Sequence, residues 1–186
     1  TTLFRSPPMA NNTSKKGSRP KRTGTKQHSD TKQNTIKKGK HFMNAAYLVP
    51  AITLFNEDGT LDLISQERLY NNLIENGVDG ILVEGSSSEF FAMDMEQRRE
   101  MARFAIEKVA HRTKLIIGTS SMVANEIVSF SNYCLDAGAD AVMILPPYYF
   151  HFGPEALLQY YDRLAKEIHG PIYIYNFPDN TGYTIP

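Results

Sequence analysis

Tyr175 closes the apolar run Pro171-Ile172-Tyr173-Ile174 and is followed by Asn176, a proline turn and Asn180-Thr181-Gly182. A phenol at such a strand end relays protons when a second hydroxyl hydrogen-bonds it, and its unperturbed pKa is about 10. Two other strand ends bring candidate partners. Gly85-Ser86-Ser87-Ser88-Glu89 carries three hydroxyls and several free backbone N–H groups. That combination binds a carboxylate or a phosphate through fixed dipoles. Pro147-Tyr148-Tyr149-Phe150 sends its two phenols to opposite sides, one inward and one outside. Each stretch also has a plainer reading on its own: a helix-capping Ser/Gly loop, a pair of core aromatics, a buried tyrosine with one satisfied hydrogen bond. Gly118-Thr119-Ser120-Ser121 adds small hydroxyl residues without a specific signal.

Other chemistries find less support. His28, His41, His111, His151 and His169 form no ligand-spaced pair, so no metal is expected. Cys134 is the one cysteine, which excludes an internal disulfide. Its helical spacing with Ile127 and Phe130 predicts a buried structural thiol. No run approaches the roughly 18 apolar residues of a membrane helix, and no secretory signal opens the chain. The expectation is a soluble, cytoplasmic protein without a membrane partner.

The elements that position these residues repeat regularly. Residues 45–55 read as a first strand, followed by the turn Asn56-Glu57-Asp58-Gly59. A helix is predicted over 61–75 with Leu69, Leu73 and Ile74 inward, closed by Gly77. A short apolar strand at 80–85 leads to a helix over 94–109. Asp94 is its cap, Met101, Phe104 and Ala105 face the core, and Arg98, Arg99 and Arg103 face water. Strands at 114–120, 141–147 and 171–176 alternate with helices over 124–137 and 154–168. Gly77 and Gly138 sit just past helices, where a left-handed residue is wanted. Strands apolar on both faces and alternating with helices imply an α/β fold with a parallel sheet. Units of roughly 30 residues fit a (β/α)₈ TIM barrel. A doubly wound sheet fits the period almost as well, although no G-x-G-x-x-G follows any strand.

The formal net charge of zero over 186 residues conceals two opposite parts. Residues 1–42 hold eleven Lys/Arg and one acid, Asp30, whereas 43–186 hold nine Lys/Arg and nineteen acids. The first part, nearly free of apolar residues and of periodicity, reads as a disordered basic tail. At face value it would touch nucleic acid or acidic surfaces. Thr1-Thr2-Leu3-Phe4-Arg5-Ser6 reads back, however, to the end of a sequencing-library adapter. The codons before Met43 fit a purine-rich ribosome-binding site, so residues 7–42 are expected to be translated upstream DNA. On that expectation the protein starts at Met43 and no nucleic-acid partner follows.

Taken together, the order of Gly-Ser-Ser-Ser-Glu, Pro-Tyr-Tyr and Tyr-Asn-Phe-Pro-x-x-Thr-Gly strand ends resembles the dihydrodipicolinate synthase and N-acetylneuraminate lyase family. The resemblance covers residues 46–186, including the entry Ala51-Ile52-Thr53-Leu54-Phe55 and the segment 148–161. It implies a TIM barrel that forms a Schiff base between a lysine and pyruvate or another 2-oxo acid, with no cofactor. Ser86 and Ser87 fall on the hydroxyl pair at the 2-oxo acid carboxylate, Ser86 also joining a hydroxyl relay. Tyr175 falls on the proton-shuttling tyrosine. Tyr149 matches a relay tyrosine that packs across a dimer interface into the neighbouring site, which implies a homo-oligomer, commonly a tetramer.

Three departures stand out. Ser88 replaces the family's second loop glycine, and Thr53-Leu54 replaces Thr-Pro after the first strand. Asn180 stands where the dihydrodipicolinate synthases have an arginine that clamps the carboxylate of aspartate semialdehyde. A neutral amide lacks that charge-assisted bidentate bond. The resemblance therefore leans to the 2-keto-3-deoxy sugar-acid aldolases, with pyruvate and an aldehyde as products. Alternatives are 4-hydroxy-tetrahydrodipicolinate synthase, N-acetylneuraminate lyase, and a 2-oxo acid binding module without chemistry. The Schiff-base lysine is expected on a sixth strand, beyond Pro186. The expectation is a barrel truncated after about five βα units, inactive as it stands, with an exposed apolar edge on its last strand.

Overall fold

Short apolar runs joined by amphipathic helices bury both faces only by lying side by side with the helices stacked against them. The computed structural model describes residues 2–4 and 46–185. Its strands are β1 (Thr2–Phe4), β2 (Leu48–Pro50), β3 (Gly80–Val83), β4 (Lys114–Gly118), β5 (Ala141–Ile144) and β6 (Ile172–Ile174). The helices are α1 (Leu63–Glu75), α2 (Met95–Val109), α3 (Ala124–Ala137), α4 (Pro154–Glu167) and the single turn α5 (Pro178–Thr181). Strands β2 to β6 are parallel and adjacent in strict chain order. A doubly wound sheet reverses its order at a switch point. These strands do not reverse, so the winding is that of a barrel.

Alternate side chains of each strand go to opposite faces. Ile81, Val83, Ile117, Val142 and Ile144 join the main core with Met101, Ala105, Phe130 and Leu164 from the helices. The other face carries a smaller cluster of Ile116, Ala141 and Met143, flanked by Leu82, Tyr173 and Tyr175. Cys134 is fully buried in the main core, as its spacing with Ile127 and Phe130 requires, and burial raises its thiol pKa.

Local signals explain most boundaries. Asp94 caps α2 through a reciprocal box with Gln97. Gly138 ends α3 at φ +118, a conformation that a side chain resists. The first strand is shorter than its apolar run. The ladder to β3 runs one residue past Pro50, with Ala51 N donating to Leu82 O at 2.9 Å, and beyond it the amide of Gln66 takes over. That side chain, almost wholly buried, accepts from Leu54 N and donates to Ile52 O, both at 3.0 Å. Gln66 and Tyr70 are thus the deepest residues of α1, with Leu69, Leu73 and Ile74 half-buried around them.

The edge of β6, expected to be open, is paired antiparallel with Thr2–Phe4. An unpaired edge is a template for any extended segment, and β1 occupies it. The rest of the expected tail, residue 1 and residues 5–42, lies outside the described residues.

Candidate functional site

The serine loop leaves β3 through a sharp reversal. Glu84 (φ +58) and Glu89 (φ +54) bracket a single 3₁₀ turn, Ser86–Ser88, in left-handed conformations unusual for residues with a side chain. The turn is tied down at its far end, where buried Ser88 donates from Oγ to Ala51 O at 2.5 Å. The serine that replaces the expected glycine is therefore an anchor to the end of β2. Ser86 is half-buried and donates to the Tyr175 hydroxyl at 3.3 Å, across 89 residues of sequence. Ser87 is exposed and lines the same cleft of about 200 Å³ with Ser86, Tyr173 and Tyr175. Tyr175 itself is fixed by its N–H to Ile144 O at 3.0 Å and by stacking on Phe177, ring centres 5.5 Å apart.

Three phenols hold the end of β5. Tyr161 and Tyr160 donate to the carbonyls of Ile144 and Leu145 at 3.4 and 3.3 Å, and Tyr183 donates to Pro147 O at 2.5 Å. Burial raises the pKa values of all three, which keeps them donors. The strand end so fixed turns Tyr148 into a second cleft, about 330 Å³, beside Ser86, Leu145 and Asn180. Ser86 lines both clefts and joins them. Tyr149 lines neither: it is 77% exposed and meets the Phe150 ring edge-on. The structure thus gathers Ser86, Ser87, Tyr175 and Asn180, and leaves Tyr149 on the surface. Among the described residues no charged side chain lines either cleft.

One buried pair was not expected. Arg98, assigned to solvent by its helical position, is 4% exposed and donates from Nε to Glu84 Oε2 at 2.7 Å. Burial raises the Glu84 carboxyl to about 7 against the pull of Arg98. A signal was available: a glutamate directly after Ile81-Leu82-Val83 needs a buried partner. Arg99 lies over the Tyr133 ring, 4.9 Å from its centre, whereas Arg103 is exposed as expected.

No cluster of three His, Cys, Asp or Glu suited to a metal occurs among the described residues. None of their helices is long and apolar enough to cross a membrane. Their lysines lie away from the strand ends that form the site. Lys108 pairs with Glu67 at 3.2 Å, Lys114 opens β4 at its opposite end, and Lys166 pairs with Asp162 on α4 at 2.5 Å.

The dihydrodipicolinate synthetase family matches residues 43–186. The candidate 2-dehydro-3-deoxy-D-gluconate aldolase YagE of Escherichia coli K12 is 38% identical over 133 residues, 72% of this chain and 44% of YagE. The 4-hydroxy-tetrahydrodipicolinate synthase of Methanothermobacter thermautotrophicus is 36% identical over 74% of this chain and 49% of its own length. The crystal structure of YagE in complex with pyruvate superposes with a TM-score of 0.73 at 35% identity, covering 76% of this chain and 48% of YagE. Dihydrodipicolinate synthase from Aquifex aeolicus gives 0.72 at 31% identity, over 75% of this chain and 47% of its own. The chain spans about half the length of these relatives.

Proposed function

Because the chain belongs to the dihydrodipicolinate synthetase family, we propose that the full-length protein is a Schiff-base pyruvate aldolase that cleaves a 2-keto-3-deoxy sugar acid. The observation that carries the proposal is the Ser86–Tyr175 hydroxyl pair at 3.3 Å, at the mouth of a cleft on the smaller apolar face. In this reading Ser86 and Ser87 grip the carboxylate of the 2-oxo acid. A lysine amine outside the described residues attacks its keto carbon. Tyr175 delivers the protons that let the carbinolamine lose water. It then takes the proton of the 4-hydroxyl as the C3–C4 bond breaks, giving an aldehyde and an enamine. Protonation of the enamine at C3, followed by hydrolysis, returns pyruvate and the free amine.

The aldehyde side of the reading rests on Asn180. It lies in the Tyr148 cleft, where the described residues supply no cation for a second carboxylate. An amide and a phenol hydrogen-bond the hydroxyls of a polyhydroxylated aldehyde instead. Condensation of pyruvate with aspartate semialdehyde is the second reading, favoured by the similarity to the Methanothermobacter synthase. Rates of 2-keto-3-deoxygluconate cleavage and of that condensation separate the two. A faster condensation would overturn the reading of Asn180. Tyr149, exposed on one copy, is proposed to complete the site of a second copy in a homo-oligomer. Sedimentation that finds only monomers at assay concentration would reject that role.

A further inference from the structure

Two consecutive strand ends are joined through one buried guanidinium, and a serine hydroxyl carries the connection to a third. Arg98 reaches from α2 with Nε on Glu84 Oε2 (2.7 Å), Nη2 on Gly118 O (2.9 Å) and Nη1 on Ser120 O (2.9 Å). It lies over the rings of Phe90 and Phe130, 5.3 and 5.0 Å from their centres. The hydroxyl of Ser120 accepts from Leu145 N at 2.9 Å, which extends the connection to the end of β5. Below this fork the backbones touch. A Cβ added to Gly118 would collide with Glu84 O. The residues so joined lie immediately before the site: Glu84 two positions before Ser86, and Leu145 three before Tyr148.

We propose that Arg98 and Glu84 are positioning residues of this site. They hold residue 84 in the left-handed turn that directs Ser86 toward Tyr175, and they keep the end of β5 in step with it. The arrangement is a poor way to obtain stability alone. Apolar residues of similar volume often replace a buried ion pair without loss, and Glu84 Oε1 has no hydrogen-bond partner among the described residues. It is a good way to fix direction, because a planar fork presents its donors at set angles to a carboxylate and two carbonyls. A strained backbone conformation persists where its surroundings over-determine it, as they do at Glu84. What matters at residue 84 is an oxygen acceptor for Nε.

The test compares the full-length protein with Glu84→Leu/Arg98→Met, which is apolar and similar in volume, and with Glu84→Gln, which keeps the acceptor. The inference rests on the Schiff-base reading for its effect on turnover, but not for its effect on geometry. The double variant is expected to melt within a few degrees of the parent. Its crystal structure is expected to show Ser86 Oγ out of hydrogen-bond reach of the Tyr175 hydroxyl. Sugar-acid cleavage should fall on the order of 100-fold, mainly in kcat, as misplacement of about 1 Å produces. Glu84→Gln should keep the contact and stay within a few-fold of parental turnover. If the double variant fails to fold, Arg98→Lys, which offers no fork, is expected to show the same separation. A contact retained in the double variant, or in a folded Arg98→Lys, overturns the proposal, as does a folded Glu84→Gln that has lost it. Should the parent protein neither cleave sugar acids nor take up pyruvate, the functional reading fails, and the crystallographic comparison alone decides the positioning role.

Discussion

The two faces of one sheet are both apolar and do different work. On the helix-covered face, Ile81, Ile117, Val142 and Ile144 are wholly buried against α2, α3 and α4. On the opposite face, Leu82, Ile116, Met143, Tyr173 and Tyr175 line an open cleft that ends at Ser86 and Ser87. The first face is where stability resides, because close packing there leaves nothing for a ligand to displace. The second trades packing for access, and its polar groups stand at the strand ends. Substitutions on the two faces should therefore separate activity from stability.

The largest separation is expected at Tyr175→Phe. Removing one proton-transferring hydroxyl should lower kcat/KM of the full-length protein by about 10²–10⁴. Thermal melts should barely move, because the half-buried ring still stacks on Phe177. On the packed face, Ile117→Ala should cost about 2–5 kcal/mol in denaturant unfolding. It should leave the activity of the folded fraction close to parental. A Tyr175→Phe variant that is unstable but active would merge the two faces again.

A smaller effect is expected at Asn180→Arg, which adds a cation that the described residues of the Tyr148 cleft do not supply. A hydrogen bond to a charged group contributes about 1.5–3 kcal/mol. The ratio of aspartate-semialdehyde condensation to sugar-acid cleavage should therefore rise roughly ten- to hundredfold. An unchanged ratio would remove residue 180 from the specificity argument.

The smallest effect concerns pH and Glu84, whose folded carboxyl value of about 7 lies above the ordinary 4.5. Burial is the main cause; Arg98 opposes it, and the nearby Tyr70 and Cys134 are themselves raised by burial. The folded protein then holds this proton more tightly than the unfolded chain does. The stability due to this group is complete below about 4.5 and is lost as pH rises through about 7. Melts of the parent relative to Glu84→Gln should accordingly lose ground across that window. A parental advantage that grows with pH would show the ionised pair to be the stabilising form.

How much of this was readable in the chain follows the range of each interaction. The five βα units, the Asp94 cap and the Gly138 stop were legible because periodicity and capping act over a few residues. Periodicity left the winding open, since barrel and doubly wound sheets share one period; the family resemblance pointed to a barrel, and the observed strand order agrees. Ser86 and Tyr175 were legible as types at strand ends; their contact spans 89 positions and required the sheet to exist. Arg98 was read as polar surface, and Gln66 drew no reading, because residue type alone does not report a buried partner. Gln66 serves backbone left unpaired after Ala51, and Arg98 serves carbonyls at 118 and 120. Tyr148 lines the cleft and Tyr149 does not, but both lie beyond the end of β5, so strand alternation alone did not say which one would face inward.

The central claim is that the Ser86–Tyr175 pair serves a lysine Schiff base of pyruvate. Borohydride reduction of the full-length protein with pyruvate, followed by mass spectrometry of its peptides, tests it most directly. The account predicts one reduced pyruvate adduct on one lysine, formed more slowly in Tyr175→Phe and formed also when 2-keto-3-deoxygluconate replaces pyruvate, because C3–C4 cleavage leaves the same Schiff base. A protein that binds pyruvate yet gives no adduct would contradict the claim and leave a 2-oxo acid binding module in its place.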